Sequence, residues 1–248
     1  MPLRFPSALS LPGALLRRVL VAGLLVAGTP AHAFTDEEVV DGFLKTVFGS
    51  EYGLPFAGGY VRKFAGPVRF HIRSRDFPLR RAQVASFVER IDRLVFDLSA
   101  RVVNREEDAN FIVHVVPRRR YESVVRQRVL GENSTQPVPG RCMVRAVFTT
   151  DGIERSEAVI VGDEGDPLFS RCMTEEILQG LGPLNDDTSL KHSMFNDTSP
   201  FTTWRRFDRL ILNMLYDPRI APGERRWNVA PKLPAILRDV KQRIARSG

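Results

Sequence analysis

Cysteine, histidine and tryptophan are scarce in this chain of 248 residues, with two, four and two copies. Two cysteines are too few for a disulfide-dense scaffold. The histidines that follow residue 33, His71, His114 and His192, are scattered along the sequence. There is no G-x-S-x-G turn and no glycine-rich phosphate loop, so the usual marks of serine hydrolases and nucleotide-binding folds are missing. Internal repeats and low-complexity blocks are also absent. Beyond the first 33 residues no apolar run reaches the length of a membrane span.

What is present begins with a leader. Arg17 and Arg18 precede the apolar run Val19 to Gly28, and Ala31-His32-Ala33 follows as a small-x-small cleavage signal. The pattern predicts a secretory signal peptide over 1–33, too short to serve as an anchor. It places the remaining 34–248 in the periplasm or outside the cell, with no transmembrane segment after cleavage. Loss of Arg4, Arg17 and Arg18 lowers the formal charge from +7 to +4. That mild excess argues against a nucleic-acid partner. Export to an oxidising compartment makes Cys142 and Cys172 a disulfide pair, the alternative being a nucleophilic Cys172 near a helix start.

The hydropathy pattern predicts one α+β domain. Thr35-Asp36-Glu37-Glu38 is a capping box opening a helix to Phe48. Val68 to Arg73 alternates as a strand. The stripe Val84, Phe87, Val88, Ile91, Leu94, Val95 and Leu98 predicts a helix over 80–102. Phe111 to Val116 is a β-rich run, and a short helix follows Pro117 to Leu130. Cys142–Phe148 and Ser156–Val161 form a hairpin about Asp151-Gly152, since glycine accepts positive φ. A helix bearing Glu175 and Glu176 and a last pair of helices near 203–216 and 233–245 complete the order.

The helix at Glu175 carries the densest signal. Glu175-Glu176-x-x-Gln179-x-x-Gly182-x-x-Asn185 has the spacing of the metzincin zinc helix, H-E-x-x-H-x-x-G-x-x-H, with all three ligand histidines replaced. Positions i and i+4 share a helix face, so Glu175 and Gln179 project together. Glu176 holds the general-base position, and Gly182 turns the chain so that Asn185 returns toward the same place. The oxygen ligands Glu175, Gln179, Asn185 and Asp186 suit a hard divalent cation, calcium, magnesium or manganese, better than zinc. The plainer reading is of acids that favour a helix dipole and a Gly182-Pro183 helix stop. Met194 lies at a distance suited to the methionine turn beneath a metzincin site. Asp208 and Tyr216 repeat the eight-residue spacing of the final matrixin helix.

Cys172-x-x-Glu175-Glu176-x-x-Gln179-x-Leu181-Gly182-x-x-Asn185-Asp186, Ser193-x-Phe195-Asn196-Asp197, Asp208 and Leu215-Tyr216-Asp217-Pro218-Arg219 together resemble the bacterial exported domain of unknown function 2927 (DUF2927). The family-like core covers about 60–223. Pro183 departs from the apolar residue expected after Gly182, and Thr203 stands further from Asp208 than usual. The resemblance brings no activity with it. The motif spacing itself implies a zincin-like mixed sheet with a hairpin and a central site-bearing helix.

Three functional expectations follow. The first is a noncatalytic protein that binds a peptide or a cell-envelope polymer, accepting an extended chain by strand addition. The second is a divergent peptidase or glycan hydrolase with Glu176 as general base, with or without a hard metal. The third is a buried polar network in which the Glu175–Asp186 segment ties helix to loop.

Overall fold

The first helix, α1 (Asp36–Phe48), opens through the capping box: Glu38 N donates to Thr35 Oγ1 at 3.2 Å and Thr35 N to Glu38 Oε2 at 2.6 Å. The structure, a computed structural model, describes Met1 and residues 34–49, 59–138 and 140–247. The leader expected over 1–33 lies outside the described residues, as does part of the loop after α1. The described residues from Phe34 onward form one compact unit.

Six residues of alternating burial make β1 (Val68–Arg73). After α2 (Pro78–Leu94) comes the short β2 (Ala100–Val102), then β3 (Phe111–Val116). α3 (Arg118–Val125) runs into a π-helical turn at Arg126–Leu130. β4 (Cys142–Thr149) and β5 (Gly152–Val161) form the hairpin, with Gly152 at φ +128°. α4 (Asp166–Gln179), α5 (Arg206–Leu215), the single turn α6 (Arg226–Val229) and α7 (Leu233–Arg246) follow. This is the α+β domain that the hydropathy pattern implies.

The strand order is β2-β1-β3-β5-β4. β1 lies parallel to β2 and β3, β3 lies parallel to β5, and β4 alone is antiparallel, at one edge. β3 is buried along its whole length, as its unbroken apolar run requires of a strand covered on both faces. Phe111, Val113 and Val115 point into the main core with Phe70, Ile72, Ala158 and Ile160. That core is closed by α2 and α4 and by the α1–α5–α7 group. Val116, Val159, Val161 and Met143 face the other way, under Tyr121, Val124, Val125 and Val129.

One element differs from the sequence pattern. The helix predicted over 80–102 stops at Leu94. The apolar stripe continues through the turn, with Val95 and Leu98 still buried. The chain leaves the helix because side chains intercept its amides. Asn213 Oδ1 accepts Phe96 N at 2.8 Å and Asp92 Oδ1 accepts Ala100 N at 2.8 Å, while Asp97 takes φ +61°. Residues 100–102 are thereby freed to pair with β1.

The disulfide read from the sequence is present. Cys142 at the start of β4 is bonded to Cys172 on α4, with Cα atoms 5.7 Å apart. It ties the edge strand to the helix that carries Glu175 and Glu176.

Candidate functional site

α4 starts at Gly165 (φ +92°) with Pro167 in its first turn, a position that has no intrahelical donor to lose. From Cys172 to Pro183 every residue is buried, so the helix is enclosed rather than laid along a surface. The last carbonyls of a helix have no partners within it. Here Ser156 Oγ on β5 donates to Gly180 O at 2.7 Å and the Tyr216 hydroxyl donates to Leu181 O at 2.8 Å. Burial raises the Tyr216 phenol above its ordinary range, so it stays a donor. Gly180 lies so close to the Phe111 ring that a Cβ would collide with it. Gly182, at φ +138°, is pressed against the Arg62 carbonyl and the Leu215 side chain.

The segment from Asn185 to Thr202 crosses over α4 and is pinned to it. Arg171 donates to the carbonyls of Ser199 at 2.8 Å, Phe201 at 3.1 Å and Asn196 at 3.2 Å, and pairs with Glu175 at 3.4 Å. Gln179 Nε2 donates to Asp186 Oδ2 at 2.8 Å. Asn196, 3 % exposed, binds the carbonyls of Thr188 and Leu190 and accepts from Thr198. Glu175 and Glu176 are each 6 % exposed and Gln179 is 4 % exposed.

The expected site residues divide between two places. Glu175, Gln179 and Asp186 come together, whereas the spacing names Asn185 as the third position. Asn185 is turned elsewhere: its Nδ2 donates to Lys45 O at 3.1 Å and its N–H to Thr46 O at 3.2 Å, closing the end of α1. Asp197 stands beside Glu175 and Asp186, and the three offer carboxylate oxygens within 4.8 Å of one another. Asp197 lies in the quoted Ser193-x-Phe195-Asn196-Asp197 motif, but no spacing rule pointed to it. Arg171 was equally unmarked, although its place four residues before Glu175 is the ordinary signal of a helix ion pair. Three carboxylates make a hard donor set that matches an oxygen-preferring divalent cation and not zinc.

The floor of this region is built around Asp208. Its Oδ1 accepts from Ser193 Oγ at 2.7 Å and Met194 N at 3.0 Å, and its Oδ2 from Arg205 N at 3.0 Å. The carboxyl therefore holds the Ser193-Met194-Phe195 turn against the start of α5, with Met194 fully buried. Burial pushes the Asp208 pKa up to about 6, outweighing the three donors that pull it down. At the other end of α5, the Lys63 ammonium donates to Leu215 O at 3.0 Å, and burial lowers its pKa to about 8. His192 packs against the rings of Phe34 and Phe207, at 5.7 and 6.3 Å.

β4 supplies the nearest open backbone. Val161 N donates to Arg141 O at 3.0 Å, so 141 and 161 make a hydrogen-bonded pair. Alternation along an antiparallel ladder then turns the N–H and C=O of Cys142, Val144 and Ala146 away from β5. Among the described residues no strand lies beyond β4.

A model of a protein family described as "Protein of unknown function (DUF2927)" matches residues 36–235. No curated protein and no solved structure matches the chain.

Proposed function

Since the chain belongs to the DUF2927 family, whose description carries no activity, we propose from geometry that it is an exported, noncatalytic binding protein. It takes an extended peptide, from an envelope protein or a similar source, along the outer edge of β4. The carrying observation is the state of the helix α4. No imidazole stands at the three zinc-helix positions, Glu175, Glu176 and Gln179 are buried, and the 185–202 strap meets Glu175 and Gln179. What a peptidase would open to substrate serves here as a keystone.

The mixed sheet with one antiparallel edge strand, the helix behind it and the Met194 turn beneath support kinship with the zincin scaffold. In such a scaffold the edge strand can outlast the chemistry. The Cys142–Cys172 bridge supports the same reading, because it fixes the edge strand to α4, and it suits an oxidising compartment such as the periplasm. Strand addition draws its affinity from main-chain hydrogen bonds and its selectivity from pockets for alternate side chains.

The test is a displayed peptide library panned against the chain and against Ala146→Pro. Proline at 146 removes an outward N–H while leaving the β4–β5 ladder intact, as edge positions allow. Selected peptides should bind the variant at least about tenfold more weakly, the worth of about one net hydrogen bond plus a steric block. Equal binding by both would refute strand addition at β4. Hydrolysis of a selected peptide that vanishes in Glu176→Gln would refute the noncatalytic assignment.

One observation favours a second reading. The Glu175, Asp186 and Asp197 carboxylates fit a hard divalent cation, and Glu176 one residue away would then act as general base in a divergent hydrolase. Near-stoichiometric calcium, magnesium or manganese in the purified protein by elemental mass spectrometry, lost in Glu175→Ala and in Asp197→Ala, is its expected signature. Metal-free protein in all three removes it.

A further inference from the structure

A groove of about 570 Å³ lies where the end of α2, the start of α5 and the end of α7 meet. Its floor is apolar: Leu94, Trp204 and Ile244. Its rim is cationic: Arg90, Arg205, Arg206, Arg209 and Lys241. No carboxylate lines it. Lys241 is engaged by Asp36 at 2.7 Å. Among the described residues none of the four arginines has an acidic partner, whereas Arg73, Arg105, Arg141 and Arg219 elsewhere on the domain do.

Arg90 shows how little the fold does to satisfy this charge. Its guanidinium carbon lies 5.2 Å from the Phe87 ring centre and 5.9 Å from that of Trp204. Its Nε is buried and has no hydrogen-bond acceptor among the described residues. Arg205 stacks over Phe201 at 4.1 Å, and Arg206 is exposed. Arg90, Arg205 and Arg209 are held against aromatic faces, and with the exposed Arg206 they make a wall without counter-charges, a standing demand for an anion. Guanidinium groups meet phosphate oxygens in a two-pronged geometry that ammonium groups cannot match.

We propose that this groove docks the protein on an anionic lipid surface, taking a phosphate head group against the Arg90, Arg205 and Arg206 side and its apolar neighbour against Trp204 and Ile244. The combination selects this partner over other anions. Tryptophan beside arginine is the chemistry of the membrane–water boundary, where one part of the ligand is apolar and the next is charged. An acidic peptide would engage the arginine rim through its carboxylates but leave the apolar floor of Leu94, Trp204 and Ile244 without a partner. The site is separate from β4 and does not depend on the peptide reading.

The experiment is cosedimentation of the full chain with phosphatidylcholine vesicles, with and without phosphatidylglycerol. The apolar run at 19–28 can bind any bilayer, so the readout is the excess on anionic over neutral vesicles. Each cation near an anionic surface is worth about a fivefold gain in binding. Arg205→Gln/Arg206→Gln should therefore cut that excess roughly thirtyfold. Ala245→Glu, which sets an acid on the exposed lip and leaves every arginine in place, should cut it too. Arg119→Gln/Arg120→Gln on α3 removes the same charge from another exposed face and should leave it nearly intact. An equal loss in that control reduces the effect to net charge and overturns the site. So does the absence of any preference for anionic vesicles. Tighter, groove-dependent binding of polyglutamate would overturn the lipid assignment in favour of an acidic protein.

Discussion

A methyl group on Gly182 would fall inside the van der Waals envelope of the Arg62 carbonyl oxygen and 2.9 Å from Leu215 Cδ2, at a φ of +138° that side chains rarely adopt. Gly182→Ala should lower stability by about 2–4 kcal/mol, or prevent folding, as read from urea denaturation. Motif spacing singled out Gly182, but its cause, a carbonyl far upstream in the chain, is invisible to any local rule. Asp208 was likewise marked by its spacing to Tyr216, while its three donors were not. Its titration has a definite sign. The folded pKa, about 6, lies above the ordinary 3.8, so between those values the native state binds more protons than the unfolded one. Stability should therefore fall as pH rises from about 4 to about 6, by roughly 3 kcal/mol from this group. Asp208→Asn should flatten that slope in pH-dependent denaturation. It should also cost about 1–3 kcal/mol at every pH, since an amide cannot accept from all three donors. A slope unchanged in the variant would assign the titration elsewhere.

At the scale of elements, the strands and helices were legible where a single face was buried or a strand was buried on both. Val68–Arg73 alternates and Phe111–Val116 does not, and each pattern matches its place in the sheet. The end of α2 was illegible for the converse reason. Val95 and Leu98 keep the helical stripe going, and what stops the helix is Asn213 from α5, a tertiary donor–acceptor match that no window of sequence contains. The strap over α4 was hidden for the same cause. Arg171 reads as a surface charge until its three carbonyl partners are placed. The link between β4 and α4 is testable at this scale. The bridge closes a loop with a sequence separation of 30, worth about 3–4 kcal/mol on loop-entropy grounds. Reduction, or Cys142→Ala/Cys172→Ala, should lower the unfolding free energy by that amount, as read from urea denaturation. If peptide binding at β4 weakens more than stability does, the bridge also positions the edge strand.

Across the whole molecule the first and last parts of the chain are interleaved. α1 packs on α5 and α7, and Lys241 near the end pairs with Asp36 near the start. Val61 N donates to Glu224 O, Gly223 N donates to Val61 O, and Lys63 reaches Leu215 O. The Arg62 carbonyl sits on Gly182 between them. A chain leaving the ribosome therefore carries α1 and the 61–64 segment with nothing to rest on until its final quarter has emerged. Long-range closure of this kind delays the finished core to the last stage of synthesis. Until residues 206–246 have been made the nascent polypeptide has no closed core and stays threadable.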